Sequence, residues 1–251
     1  MRAGTGIRYH QLGEGPLAVL VHPDLYGGRF AWHRLIPAWS RRYTVVSWDP
    51  RGVGDHRRWV PSMRDWVADA EAVLEAVDRP AHLVGLGVGA WVMARVAITD
   101  DPRVRSLVLA GVTARGAGAL GIGKGAGGPP AVAEALVSSA VWPEVRDNLE
   151  QELAEQDAAV LYAAVRAAAA ASHRPVFQRI RRPTLVVVGT HDRLAPPRDA
   201  ERVARLVPRS RLAVLLGAGH LAPLDQPGRF DEAVRDFWVS LEGPGGRRPP
   251  G

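Results

Sequence analysis

Cysteine is absent from the 251 residues, which rules out disulfides, thiolate nucleophiles and cysteine-ligated metal centres. Lysine is nearly absent too: Lys124 is the only one, so the formal charge of +6 is carried by arginine. The arginines are scattered along the chain rather than gathered into a basic stripe, and a nucleic-acid partner is not expected. A chain rich in Ala, Arg, Gly and Pro and almost free of Lys is most simply read as the product of GC-rich coding. No apolar run approaches the roughly 20 residues needed to span a bilayer, and Met1 to Gly6 lacks the apolar run of a signal peptide. No membrane partner is expected, and the expected location is the cytoplasm. There is no internal repeat. No cluster of His, Asp and Glu has ligand spacing, so neither a metal nor a cofactor is expected. What is present, 47% hydrophobic and 23% charged residues, is the composition of one soluble globular domain with an ample core, as a monomer or homodimer.

Short apolar runs rich in Val, Leu and Ala recur along the chain: Leu17 to His22, Thr44 to Trp48, Ala81 to Gly85, Arg105 to Ala110, Thr184 to Gly189 and Arg211 to Leu216. Each reads as a strand buried on both faces. Between them, apolar residues at spacings of three and four, such as Trp66, Val67, Ala70, Val73, Leu74 and Val77, predict amphipathic helices. Alternation of this kind predicts an α/β fold, a mostly parallel sheet covered by helices on both faces. One stretch breaks the alternation. It opens with the glycine-rich 116–128 and continues with helical patterns around Ala131 to Ala140, Pro143 to Glu155 and Ala158 to Ala171. The expected organisation is a core of residues 1–112 and 178–242, a hinge and helical lid over 113–177, and a disordered tail over 243–251.

Ligand sites of open α/β sheets lie beyond the carboxyl ends of the strands, so the loops after each strand carry the functional reading. They are His22-Pro23-Asp24, Asp49-Pro50-Arg51-Gly52-Val53-Gly54, Gly85-Leu86-Gly87-Val88-Gly89, Gly189 to Pro196 around Asp192, and Gly219-His220-Leu221. The third runs straight from a strand into a helix. Its Gly-x-Gly-x-Gly also resembles a dinucleotide fingerprint, but it stands at the third strand rather than the first and leaves Asp192 and His220 unexplained.

Five loops in this order resemble the α/β-hydrolase superfamily over nearly the whole chain, most closely its lyase, esterase and epoxide-hydrolase-like members with a helical lid. The resemblance implies an oxyanion loop at His22-Pro23-Asp24, a nucleophile elbow at Gly85–Gly89, and a triad acid and histidine at Asp192 and His220. At the nucleophile position stands Gly87, which has no side chain to attack with, although glycine adopts the strained elbow backbone without steric cost. The resemblance also implies oxyanion donors at the amides of Val88 and Asp24, and the emptied elbow is expected to leave room for substrate or a water. The Asp24 carboxylate reads as a second acid/base, as a hydrogen-bond acceptor for substrate hydroxyls, or as a local cap. Trp32, Trp91, Trp142, Tyr26 and Phe30, with His22 beside them, are the expected pocket residues.

A histidine oriented by a carboxylate is a general acid/base. Members of the superfamily without a covalent intermediate include hydroxynitrile lyases, cofactor-free dioxygenases, decarboxylases and cyclases. The expectation is proton-transfer chemistry that forms or breaks a C–C bond in a bulky aromatic or polyketide-type small molecule. Two alternatives stay open: a hydrolase using water activated by His220, and a small-molecule-binding protein without activity.

Overall fold

The structure, a computed structural model, describes residues 1–26, 28–56, 58–114, 128–138 and 141–242. Seven strands form one sheet: β1 (His10–Leu12), β2 (Ala18–His22), β3 (Thr44–Ser47), β4 (Ala81–Leu86), β5 (Val104–Ala110), β6 (Thr184–Gly189) and β7 (Ser210–Leu215). Their spatial order is β1-β3-β2-β4-β5-β6-β7; β1 runs antiparallel to β3 and every other pair is parallel. The six predicted strands are present, each within about two residues of the expected bounds. The seventh, β1, has only three exposed residues and shows no period in the sequence.

The helices are α1 (Ile36–Trp39), α2 (Met63–Val77), α3 (Val88–Ala97), α4 (Gly128–Leu136), α5 (Pro143–Ala154), α6 (Ala158–Ala170), α7 (Arg174–Arg179), α8 (Pro197–Leu206), α9 (Ala222–Asp225) and α10 (Pro227–Leu241). Local chemistry sets several of their ends. Ser62 caps α2 through a reciprocal pair with Asp65, and Asp78 closes it in a left-handed conformation at φ 45°. Asp157 caps α6 by accepting from the amides of Ala159 and Val160. Proline occupies the first turn of α5, where no amide donor is needed. The nearly all-apolar α3 is buried on every side except at Arg95, because it packs on β4 and β5 and against α2.

Two expectations change. Not every strand is covered on both faces: Arg211, Leu212 and Val214 of β7 are exposed, because β7 ends the strand order and has no neighbour beyond it. The first inserted helix starts earlier than expected and stops at Leu136, not near Ala140. The expected hinge lies outside the described residues up to Gly128, which opens α4, and the expected tail lies outside them entirely.

The topology dictates where a site can form. From β2 the chain moves to β3 on one side and then returns to β4 on the other, so the loops leaving β2 and β4 diverge and open a crevice at the carboxyl ends of the two strands. His22 pairs with Gly85 in the sheet register, so Asp24 and Gly87 stand two residues beyond the same rung. The neighbouring loop after β3 is braced from below. Arg51 Nε and Nη2 bind Asp69 Oδ2 and Oδ1 at 2.7 and 2.9 Å, and the indole of Trp66 donates to the Arg51 carbonyl at 2.8 Å.

Asp69 is almost completely buried while Arg51 is its partly exposed cation. Truncation of Arg51→Ala strands that carboxylate, and thermal or urea unfolding should show a loss near the lower end of about 3–5 kcal/mol.

Candidate active site

Asp24, His220 and Asp192 form one buried line of side chains. His220 Nδ1 lies 3.0 and 3.1 Å from the two oxygens of Asp192, and Nε2 lies 3.1 Å from Asp24 Oδ2. All three residues are at most 3% exposed. The loops that deliver them leave β6, β7 and β2. Asp192 is fixed by two amides of its own turn, those of Leu194 and Ala195, which donate to Oδ1 at 2.9 and 2.7 Å. The His220 ring rests against Gly111, just past β5. A Cβ at Gly111 would come 2.9 Å from His220 Cε1, and its φ of 55° also selects glycine.

The elbow keeps its shape: Gly87 has φ 55° and ψ −118° and leads directly into α3. The space above it is filled, however. A Cβ built on Gly87 would stand 2.3 Å from Asp24 Cγ and 2.5 Å from both carboxylate oxygens. Asp24 thus occupies the position that an elbow side chain would take, reaching it from the neighbouring loop. The expectation of an emptied elbow is corrected on this ground, since a carboxylate of similar reach has entered the vacated volume. Asp24 Oδ1 accepts from the Val88 amide at 2.9 Å, at the amino end of α3, where the helix dipole favours an anion. The Val88 amide, expected to face a substrate oxygen, is therefore engaged by the protein's own carboxylate.

Burial works against charge on His220, but the Asp192 charge and the hydrogen bonds to Asp192 and Asp24 outweigh it and hold the imidazolium up to about pKa 10. At neutral pH both ring nitrogens then carry protons, each donating to a carboxylate. His220 is in this state a proton donor, and the acceptor facing it is Asp24.

The expected pocket residues separate. Tyr26, two residues beyond Asp24, is buried, and its hydroxyl has no hydrogen-bond partner among the described residues. Burial and the Asp24 charge both raise its pKa, so it stays a neutral phenol. His22 is held neutral, its pKa lowered to about 4 by burial, and its Nδ1 donates to the Pro23 carbonyl at 2.9 Å, so it braces the loop. Phe30 is half-buried and stacks on His33. Trp91 donates to the Thr113 carbonyl and stacks on His173 at 4.0 Å, tying α3 to the residues before α7. Trp32 is in the core instead, with its ring turned toward Trp39 and Phe230. Trp142 stands just before α5, makes no side-chain capping bond and is 68% exposed. Sequence reasoning missed Gly111, which belongs to no motif and meets His220 only because the fold brings the two together.

Residues 18–233 match the profile described as the Alpha/beta hydrolase family. Over 90% of its length the chain is 30% identical to part of the polyketide synthase ThaQ of Burkholderia thailandensis, of which it spans 12%. It is 26% identical to the pyrrolizixenacetamide deacetylase of Xenorhabdus hominickii, over 92% of this chain and 94% of that one. Among solved structures, the thermophilic esterase of Thermogutta terrifontis superposes with a TM-score of 0.81 at 24% identity, covering 95% of this chain and 96% of that one, a likeness of fold.

The folded pKa of His220 lies above the 6.5 of a free imidazole. Its proton therefore contributes stability that is full below pH 6.5 and is lost as pH rises through about 10. NMR titration should find His220 protonated through neutral pH, and Asp24→Asn, which removes one carboxylate, should lower that pKa and flatten the alkaline decline in urea midpoint. Gly87→Ser alone should destabilise by about 1–3 kcal/mol through overpacking against Asp24 and the positive φ. Adding Asp24→Gly should relieve the overpacking, and hydrolysis of p-nitrophenyl acetate should emerge in the double variant only.

Proposed function

The chain belongs to the alpha/beta hydrolase family, and from that premise we propose that it is a proton-transferring enzyme without a covalent nucleophile, acting on a small molecule through Asp24, His220 and Asp192. The observation that carries this reading is the Asp24 carboxylate seated over Gly87, with one oxygen on the Val88 amide and the other on His220. Acyl transfer needs an elbow nucleophile and a free oxyanion donor. Here glycine stands at the first position and the Val88 donor is engaged. Activation of water by His220 would need an unprotonated Nε2, whereas that atom donates to Asp24.

The same contacts suit paired proton transfer. In an aldol-type ring closure, Asp24 Oδ2 takes a proton from a carbon lying between two carbonyls. The electron pair left on that carbon forms the new C–C bond to a third carbonyl carbon. The π pair of that carbonyl moves onto its oxygen, which takes the Nε2 proton of His220. Transfer of the proton on Asp24 to Nε2, across the 3.1 Å contact, resets the site and leaves a product isomeric with the substrate. Asp192 holds the imidazole in orientation throughout.

A carboxylate is a weak base and abstracts protons at useful rates only from acidic positions. Carbons between carbonyls and phenolic hydroxyls meet this demand, which points to a polyketide-type or aromatic intermediate. Similarity to a stretch of a polyketide synthase supports the same substrate class. Tyr26 and Phe30 lie on the loop that carries Asp24 and supply an aromatic wall. Helices α4 to α7 act in this reading as a lid over the site.

The test is an aryl 1,3,7-triketone, whose C2 can close a six-membered ring onto C7, followed by ultraviolet absorbance, beside p-nitrophenyl acetate, with wild type, Asp24→Asn and His220→Ala. Cyclisation should fall by about 10²–10⁴-fold in each variant, and the wild-type rate should decline as pH rises through about 10, where His220 loses its proton. Ester turnover dependent on His220 would favour water activation instead, and cyclisation indifferent to both substitutions would remove the reading.

A further inference from the structure

The loop that carries His220 is bonded on both sides of the histidine to the end of the first inserted helix. Before it, the Gly219 amide donates to Asp225 Oδ2 at 2.5 Å. The same carboxylate accepts the Ser138 amide at 2.7 Å and the Ser138 hydroxyl at 2.9 Å. After it, the Leu221 amide donates to the Leu136 carbonyl at 2.9 Å. Leu136 ends α4 and Ser138 stands two residues beyond it. The Ser138 carbonyl in turn accepts from the Val141 amide at 3.2 Å and from Arg146 of α5 at 3.4 Å. The contact is also close-packed: a Cβ at Gly219 would come 2.9 Å from backbone atoms of Leu136, Val137 and Ser138.

Asp225 is 9% exposed and accepts three donors on two oxygens, the two backbone amides on Oδ2 and the Ser138 hydroxyl on Oδ1. No bond joins Asp225 or Ser138 to Asp24 or Asp192 among the described residues, and their bonded contact with the site is through the loop that carries His220. We infer that Asp225 and Ser138 are positioning residues that couple the inserted helices to His220, so that a displacement of α4 and α5 moves the imidazole relative to Asp24 and Asp192. Interiors transmit displacement because they are close-packed, and the two anchored amides flank the histidine directly. Proton transfer then depends on the arrangement of the helices above the site, and substrate held beneath them acts on the acid as well as on the pocket. The inference rests on the proton-transfer reading of His220.

Ser138→Ala and Asp225→Ala test it, with folding checked by circular dichroism and the two imidazole N–H resonances of His220, assigned by their loss in His220→Gln, read by proton NMR. Ser138→Ala removes one hydroxyl and leaves every backbone bond in place. Coupling predicts that both variants shift these resonances and lower the His220 pKa by about one unit, a tenfold change in proton affinity. A merely structural brace predicts a lower melting temperature with resonances and pKa at their wild-type values, and that result would overturn the inference. If Asp225→Ala does not fold, Ser138→Ala decides alone. The readout is on His220 without turnover. A shift in Ser138→Ala together with triketone cyclisation indifferent to His220 would therefore retire the proposed function and keep the coupling.

Discussion

The rest of the site depends on one carboxylate in an unusual place. Asp24 Oδ1 sits on the Val88 amide and Oδ2 meets His220, directly over the elbow. With Asp24 there, position 87 must be glycine, because even a Cβ would overlap the carboxyl carbon. With Asp24 there, His220 lies between two anions and keeps its proton against the cost of burial. The elbow amide, which in a free state would serve a developing oxyanion, is held by the protein itself. Missing nucleophile, charged histidine and engaged donor are three consequences of a single placement.

A buried line of anion, cation and anion is expensive to desolvate and persists only if its hydrogen bonds are complete. They are supplied from the backbone: Val88 for Asp24, and Leu194 and Ala195 for Asp192. Val88 opens the helix that follows β4, and Leu194 and Ala195 lie in the loop that follows β6, so the charges are held by segments anchored to two fully buried strands. Preorganisation of this kind is what proton transfer requires, since the groups do not have to reorient as charge moves. The Tyr26 hydroxyl stands out as a buried donor near Asp24 without a partner among the described residues. Such a group is costly unless a bound molecule or water satisfies it.

The likeness to the solved esterase structure is one of fold, and at the elbow this chain carries Gly87. The fold supports many chemistries, and the site residues are what separate them. Here Asp24, from another loop, fills the space over Gly87.

Much of this was legible in the residues. Val-rich runs between amphipathic segments reveal a parallel sheet, because burial on both faces demands continuous apolar side chains whatever the rest of the chain does. Loops after those strands reveal Asp192, His220 and Gly87, because motif spacing along one chain survives translation into a list of letters. The short edge strand β1, the exposed face of β7 and the core burial of Trp32 were hidden, since strand order and the covering of each face depend on distant segments. Hidden too was the seat of Asp24. Its distance from Gly87 follows from the pairing of His22 with Gly85 across two strands separated by residues 23–80. The sequence by itself determined which chemical groups the site owns; only the tertiary structure decided which of them share one volume, because register and crossover order, not spacing along the chain, bring two loops to the same rung.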